Sequence, residues 1–142
     1  MEYYLVMWNR SFDVTVTSSA LSGAFVQGAI SVGSPSIVAA RRLNDATLLV
    51  DRGRLAQARA QEPGSPGYLQ LHRSNFTYAR SLVVVIRYDP RRKWGMGPVP
   101  HSGRLQLELR DRTRRELILL GEQDGPALLN AARELGYAIS AA

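Results

Sequence analysis

Along Arg104-Leu105-Gln106-Leu107-Glu108-Leu109-Arg110 apolar and polar residues alternate without interruption. A period of two puts Leu105, Leu107 and Leu109 on one face of an extended strand and the polar residues on the other. Asp111-Arg112-Thr113-Arg114 is a polar turn, and Arg115-Glu116-Leu117-Ile118-Leu119-Leu120 resumes the strand. So short a connection fits only an antiparallel hairpin. Gly121 ends it, and the period then changes. Asp124-Gly125-Pro126 offers an N-cap followed by a proline in the first turn, where its missing N–H is not needed. Leu128, Leu129, Ala132 and Leu135 follow at helical spacing. Gly136 suits a left-handed C-cap, and Tyr137 can pack back on the last turn. The spacing predicts a helix over 126–135.

Upstream, Ser81-Leu82-Val83-Val84-Val85-Ile86-Arg87-Tyr88 is rich in β-branched residues and reads as a central, buried strand. A long loop, 89–103, follows it; loops of that length in compact domains are often functional. Tyr68-Leu69-Gln70-Leu71-His72 alternates as a shorter strand. Near the N-terminus, Tyr4 to Trp8 reads as one strand and Phe12 to Thr17 as another, with Phe12, Val14 and Val16 on one face. Ser22-Gly23 is taken as a turn into a third strand, 24–30, where Gly28 marks a bulge or close approach. Residues 31–67 read as an irregular insertion between two β units. It holds a possible strand, 46–50, and a possible short helix, 52–61, capped by Asp51 and stopped by Glu62-Pro63-Gly64-Ser65-Pro66-Gly67. Many short strands followed by one amphipathic helix predict an α+β, mainly β, layout: an antiparallel twisted sheet or barrel in a single domain, 1–142, capped by the C-terminal helix.

The strand Gly103-Arg104-Leu105-Gln106-Leu107-Glu108-Leu109, the turn 111–114, Leu117-Ile118-Leu119-Leu120-Gly121 and the closing helix 127–135 together resemble the second half of a bacterial pleckstrin-homology-like domain. The resemblance spans Tyr68 to Tyr137, about half of the chain. It implies a strongly bent sheet of about seven strands with a capping helix. In that family the anionic-lipid site usually lies in the first hairpins. Here the basic residues lie in the later half, so that site is not carried over. Folds of this kind host lipid, peptide and protein binding alike.

Composition narrows the chemistry. The chain has 142 residues, 45% of them hydrophobic, and no cysteine. That length supports a core without staples, and the missing thiols exclude disulfides, thiolate zinc sites and cysteine nucleophiles. No apolar run approaches the roughly 20 residues of a membrane helix. Met1 to Trp8 lacks the basic n-region of a secretory signal, so a cytoplasmic location, or export by a route that needs no cleaved signal, is expected. Two histidines, His72 and His101, both read as loop or strand-end residues, give no Ser-His-Asp set and no metal-ligand spacing. Gly95-Met96-Gly97 lacks the third glycine and the following helix of a dinucleotide loop. Neither a cofactor nor an enzymatic reaction is expected.

Charge distribution is the remaining signal. The net charge is +6, from 18 basic and 12 acidic residues. Ten of the basic residues and three of the acidic ones fall between Arg80 and Arg115, so that segment carries +7 and the rest of the chain −1. Such a field attracts anions, and arginine forks suit carboxylate and phosphate. Arg87, Arg91, Arg92, Lys93, Trp94, Arg112, Arg114 and Arg115 are the candidate binding residues, with Trp94 supplying apolar contact. The predicted function is a non-enzymatic binding module for an acidic partner. A protein is favoured; nucleic acid or an anionic membrane bound through the same segment is one alternative, and an enzyme whose site is not local in the sequence is another. Pairing of the strand ending at Tyr88 with the one starting at Arg104 would put the two basic loops at opposite ends, joined only by a stripe through Arg87, Arg104 and Arg110.

Overall fold

The computed structural model describes residues 2–7, 10–27, 50–91, 93 and 100–141, with the backbone alone for 2–7 and 141. Strands β1 (Glu2–Met7), β2 (Arg10–Val16) and β3 (Ala20–Gln27) form an antiparallel meander, to which β4 (Phe76–Ala79) adds beside β3. Strands β5 (Val83–Asp89), β6 (His101–Leu109) and β7 (Arg114–Leu120) form a second meander. β7 returns to β1 through Leu5↔Leu119 and Val6↔Ile118. β8 (Ile139–Ala141) lies parallel to β5. Among the described residues the resulting sheet has eight strands in the order β4-β3-β2-β1-β7-β6-β5-β8. Helices α1 (Arg52–Arg59) and α2 (Pro66–Gln70) precede β4, and α3 (Gly125–Glu134) precedes β8.

The sheet bends so that its two meanders share one core. Phe12, Val14, Val16 and Leu21 from the first pack with Ile86, Leu105, Leu107, Leu117 and Leu119 from the second, and with Ala132 and Tyr137. Two long-range bonds cross the bend. Tyr137 Oη donates to the Thr17 carbonyl at 2.9 Å, and Arg115 Nε donates to Tyr78 Oη at 3.3 Å. Among the described residues the outer strands β4 and β8 do not pair with each other. The sheet is therefore open, which corrects the barrel alternative. The edge strands are too short to close the sheet, at four and three residues.

The C-terminal half follows its pattern. β6 buries Gly103, Leu105, Leu107 and Leu109 in alternation, and β6–β7 form the hairpin. In α3, Asp124 accepts from the Ala127 N–H at 2.9 Å and Pro126 occupies the first turn. Gly136 takes φ 96, and the Tyr137 N–H bonds to the Ala132 carbonyl at 3.0 Å. Ala132 is buried against the sheet, and Leu128, Leu129 and Leu135 pack beside it.

Elsewhere several expectations are corrected. Residues 68–72 do not form a strand. Ser65 caps α2 by accepting from the Tyr68 N–H at 3.2 Å, with Pro66 behind it, so the Ser-Pro step begins a helix. Gly23 is not in a turn; the turn is at 17–20, where the Thr17 N–H bonds to the Ala20 carbonyl at 2.9 Å. Gly23 sits inside β3 beneath Phe76, where an added Cβ would lie 2.3 Å from the ring. β5 starts at Val83 after a 3-10 turn, and its place beside β8 makes it peripheral rather than central. Its Val84 is 43% exposed. The third strand ends at Gln27, so Gly28 to Ile30, like residues 46–49 of the possible strand 46–50, lies outside the described residues.

The alternation of β2 gives it two faces, with Phe12, Val14 and Val16 on one and Ser11 and Asp13 on the other. Both are covered. Ser11, Asp13, Ser22, Ala24 and Val26 are buried on the second face, where Ala58 of α1 and Tyr68 of α2 pack against Ala24. Part of the expected insertion thus roofs β2 and β3. Arg59 of α1 reaches the buried Asp13 carboxylate at 3.6 Å, and burial, with the Asp13 charge, pushes the Tyr68 hydroxyl well above its usual pKa.

Candidate binding surface

Register sets the faces of the second meander. Ile86↔Leu107 and Tyr88↔Leu105 point inward, while Asp89↔Arg104 and Arg87↔Gln106 point outward from β5 and β6. Gln106↔Glu116 and Glu108↔Arg114 continue those outward rows into β7. Acids and bases therefore meet across strands, where opposite charges attract.

Three carboxylates engage the basic side chains of this face. Asp89 is buried and accepts from Arg91 at 2.8 Å and from Arg104 at 3.1 Å. The Arg91 hydrogen bonds, side chain first and then backbone, hold the Asp89 carboxyl well below its usual pKa. Glu116 accepts from Arg104 at 3.2 Å and is paired with Lys93. Glu108 accepts from Arg87 at 3.3 Å. A depression of about 360 Å³ lies on this face, and Arg87, Glu108, Arg114, Arg115 and Glu116 are among its lining residues. Its walls mix both signs and include no histidine.

The eight predicted residues thus separate. Arg87, Arg91 and Lys93 are in ion pairs. Arg115 follows the inward parity of Leu117 and Leu119 and bonds to Tyr78. Arg92 and Trp94 lie outside the described residues. Arg112 and Arg114 are exposed at the β6–β7 turn and, among the described residues, form no ion pair. The pairing Tyr88↔Leu105 places Arg91 and Lys93 at one end of β6 and the turn at the other, nine residues or roughly 30 Å apart. Asp89, Glu108 and Glu116 interrupt the stripe imagined between them.

At the turn the Arg112 N–H bonds to the Leu109 carbonyl and the Leu109 N–H to the Thr113 carbonyl, both at 2.9 Å. This three-residue loop needs a left-handed residue, and Arg112 takes that conformation, with φ 67. Asp111 accepts from Thr113 at 2.9 Å and is turned into the loop. Arg110 donates from its backbone to the Leu82 carbonyl at 2.9 Å and from Nε to the Ser81 carbonyl. The turn is thereby tied to Ser81 and Leu82; Leu82 and, two residues on, Val84 are 46% and 43% exposed.

Sequence reasoning missed these two apolar residues because a run of five apolar residues, Leu82 to Ile86, reads as interior. Val84 is exposed by a bulge, since Val83 pairs with Leu109 and Val85 with Glu108. β8 pairs with β5 only at Ile86, Arg87 and Tyr88. Among the described residues the β8-side edge of β5 is thus unpaired at Val83–Val85. Among the described residues, too, no helix is long and apolar enough to cross a membrane. No protein-family model, curated protein or solved structure matches the chain.

Proposed function

We propose that the protein is a non-enzymatic binding module that takes an extended acidic segment of a partner protein at the β6–β7 turn end of its sheet. The observation that carries this reading is the contrast in charge pairing. The outer-face cations Arg87, Arg91, Lys93 and Arg104 are bonded to carboxylates, whereas among the described residues Arg112 and Arg114 are not. They stand beside exposed Leu82 and Val84.

Mixed character favours a protein over a phosphate backbone. The edge of β5 offers backbone donors and acceptors that an added strand can pair. Leu82 and Val84 offer apolar contact, and the arginines steer and orient acidic side chains. The seven antiparallel strands followed by α3 support the resemblance to pleckstrin-homology-like domains as part of the same proposal.

The test is an amide HSQC titration with a Val-rich, Glu-rich peptide, an oligonucleotide and phosphatidylserine vesicles. The peptide is expected to shift amides of Leu82–Val85 and Arg110–Arg114, with a shallow loss of affinity between about 50 and about 200 mM salt. Shifts at these positions only with the oligonucleotide, and a loss of about a thousandfold over that salt range, would overturn the protein reading. Shifts only with vesicles would do the same.

A further inference from the structure

A second basic cluster lies in the part of the chain whose summed charge is slightly negative. It is built from three segments far apart in sequence. Phe25 in β3 is the centre. His72, in the loop after α2, stacks on the Phe25 ring with centroids 4.0 Å apart and planes 11° apart. The Arg54 guanidinium of α1 lies over the same ring at 5.1 Å, within the range of a cation–π contact. The His72 Nδ1 accepts from the Ser74 N–H at 3.0 Å. Arg10, at the start of β2, donates to Ser74 Oγ at 2.5 Å. Arg73 lies between His72 and Ser74 in the chain.

Two other bonds fix this loop. Asn75 accepts from the Phe25 N–H at 2.7 Å and donates to the Tyr68 carbonyl at 2.8 Å. The loop is thereby pinned to the end of β3 beyond β4.

The bond at Nδ1 sets the tautomer, so the neutral ring carries its proton on Nε2 and can donate from there. The charged groups acting on His72 are all cations. Its partial burial first, then Arg54, Arg73 and Arg10, hold its pKa below the usual 6.5. Among the described residues none of these three arginines is paired with a carboxylate, unlike the cations on the outer face of β5–β7. Phe25 holds Arg54 and the His72 ring, Ser74 holds Arg10, and Arg73 acts on His72 through its charge, which leaves three cations and one ring N–H around this loop.

We propose that Arg10, Arg54, Arg73 and His72 form a binding site for a dianionic phosphate group, carried by a phosphomonoester or free in solution. A phosphomonoester carries close to two negative charges and three acceptor oxygens, which matches several guanidiniums grouped about one imidazole donor. A carboxylate has one charge and two oxygens, and a phosphodiester has one charge. The site is independent of the turn at Arg112 and stands if that reading fails.

His72 reports on the site directly. Its ring resonances are titrated with pH, alone and with inorganic phosphate, O-phosphoserine, serine or dimethyl phosphate, at total ionic strength held near 0.1 M. Inorganic phosphate and O-phosphoserine are expected to raise the His72 pKa by about one unit, while serine and dimethyl phosphate leave it unmoved. Tighter binding of O-phosphoserine than of phosphate would identify a phosphorylated side chain as the source, and equal binding would identify free phosphate. In the Arg54→Ala/Arg73→Ala variant the phosphate-induced rise is expected to vanish, with His101 and the amide spectrum showing that the fold persists. A His72 pKa that phosphate does not move in the folded protein, or moves equally in that variant, would overturn the proposal.

Discussion

Arg112 stands where a three-residue hairpin loop usually carries glycine, and its φ of 67 is the one positive value among the described non-glycine residues. A left-handed conformation costs a residue with a Cβ on the order of 1 kcal/mol. Glycine removes that strain but adds freedom to the unfolded chain, so Arg112→Gly is expected to stabilise the fold by about 0.5 kcal/mol. It should at the same time weaken capture of the acidic peptide. Urea denaturation and peptide titration of one variant read both effects; a loss of stability, or unchanged binding, would contradict the account of this turn. Asp89 makes a second residue-scale prediction. Its carboxyl is held below its usual value of 3.8 by the hydrogen bonds from Arg91. Since the folded state binds this proton more weakly than the unfolded one, the stabilisation is full above that usual value and is lost progressively as pH falls from it towards the depressed folded value. The stability gap between the wild-type protein and Asp89→Asn should therefore be wide near pH 6 and shrink by about pH 2.5. An equal gap at both values would contradict it.

Elements whose pattern, cap and packing agree were legible in the sequence. The β6–β7 hairpin and α3 were of this kind, because Leu105, Leu107 and Leu109 face the core and Asp124 and Gly136 close the helix as their residue types suggest. Elements set by tertiary contact were not. The alternation at 68–72 reads as a strand, yet a side-chain cap at Ser65 begins a helix there. Phe76-Thr77-Tyr78 had strand-forming residue types but was too short to stand out beside it. Gly23 reads as a turn until Phe76 arrives above it from a strand fifty-three positions later. That packing makes a prediction: Gly23→Ala pushes into a ring already 5.4 Å from Phe12 and should cost about 1–3 kcal/mol, read as a lower urea midpoint. An unchanged midpoint would show that the Phe76 ring can move aside freely.

For the whole molecule, the linear charge count located the basic segment but not its accessible part. Glu116 lies one residue beyond the segment, yet register returns it to the face it helps to neutralise, beside Lys93 and Arg104. Conversely Arg10, Arg54 and Arg73 look dispersed until β2, α1 and the loop after α2 bring them around Phe25 and His72. Such compensation and convergence follow from strand order, which no local window contains. The central claim is that pairing, rather than number of charges, decides where an acidic partner binds. Two double variants remove the same charge from the two ends: Arg112→Gln/Arg114→Gln at the turn, and Arg87→Gln/Lys93→Gln from the paired face. Their affinities for the Glu-rich peptide are measured side by side by fluorescence anisotropy, with circular dichroism to verify folding. The account predicts at least a tenfold loss, about 1.4 kcal/mol, for the turn variant and little change for the other. Equal losses in both would show that only net charge attracts the partner, and would contradict the claim.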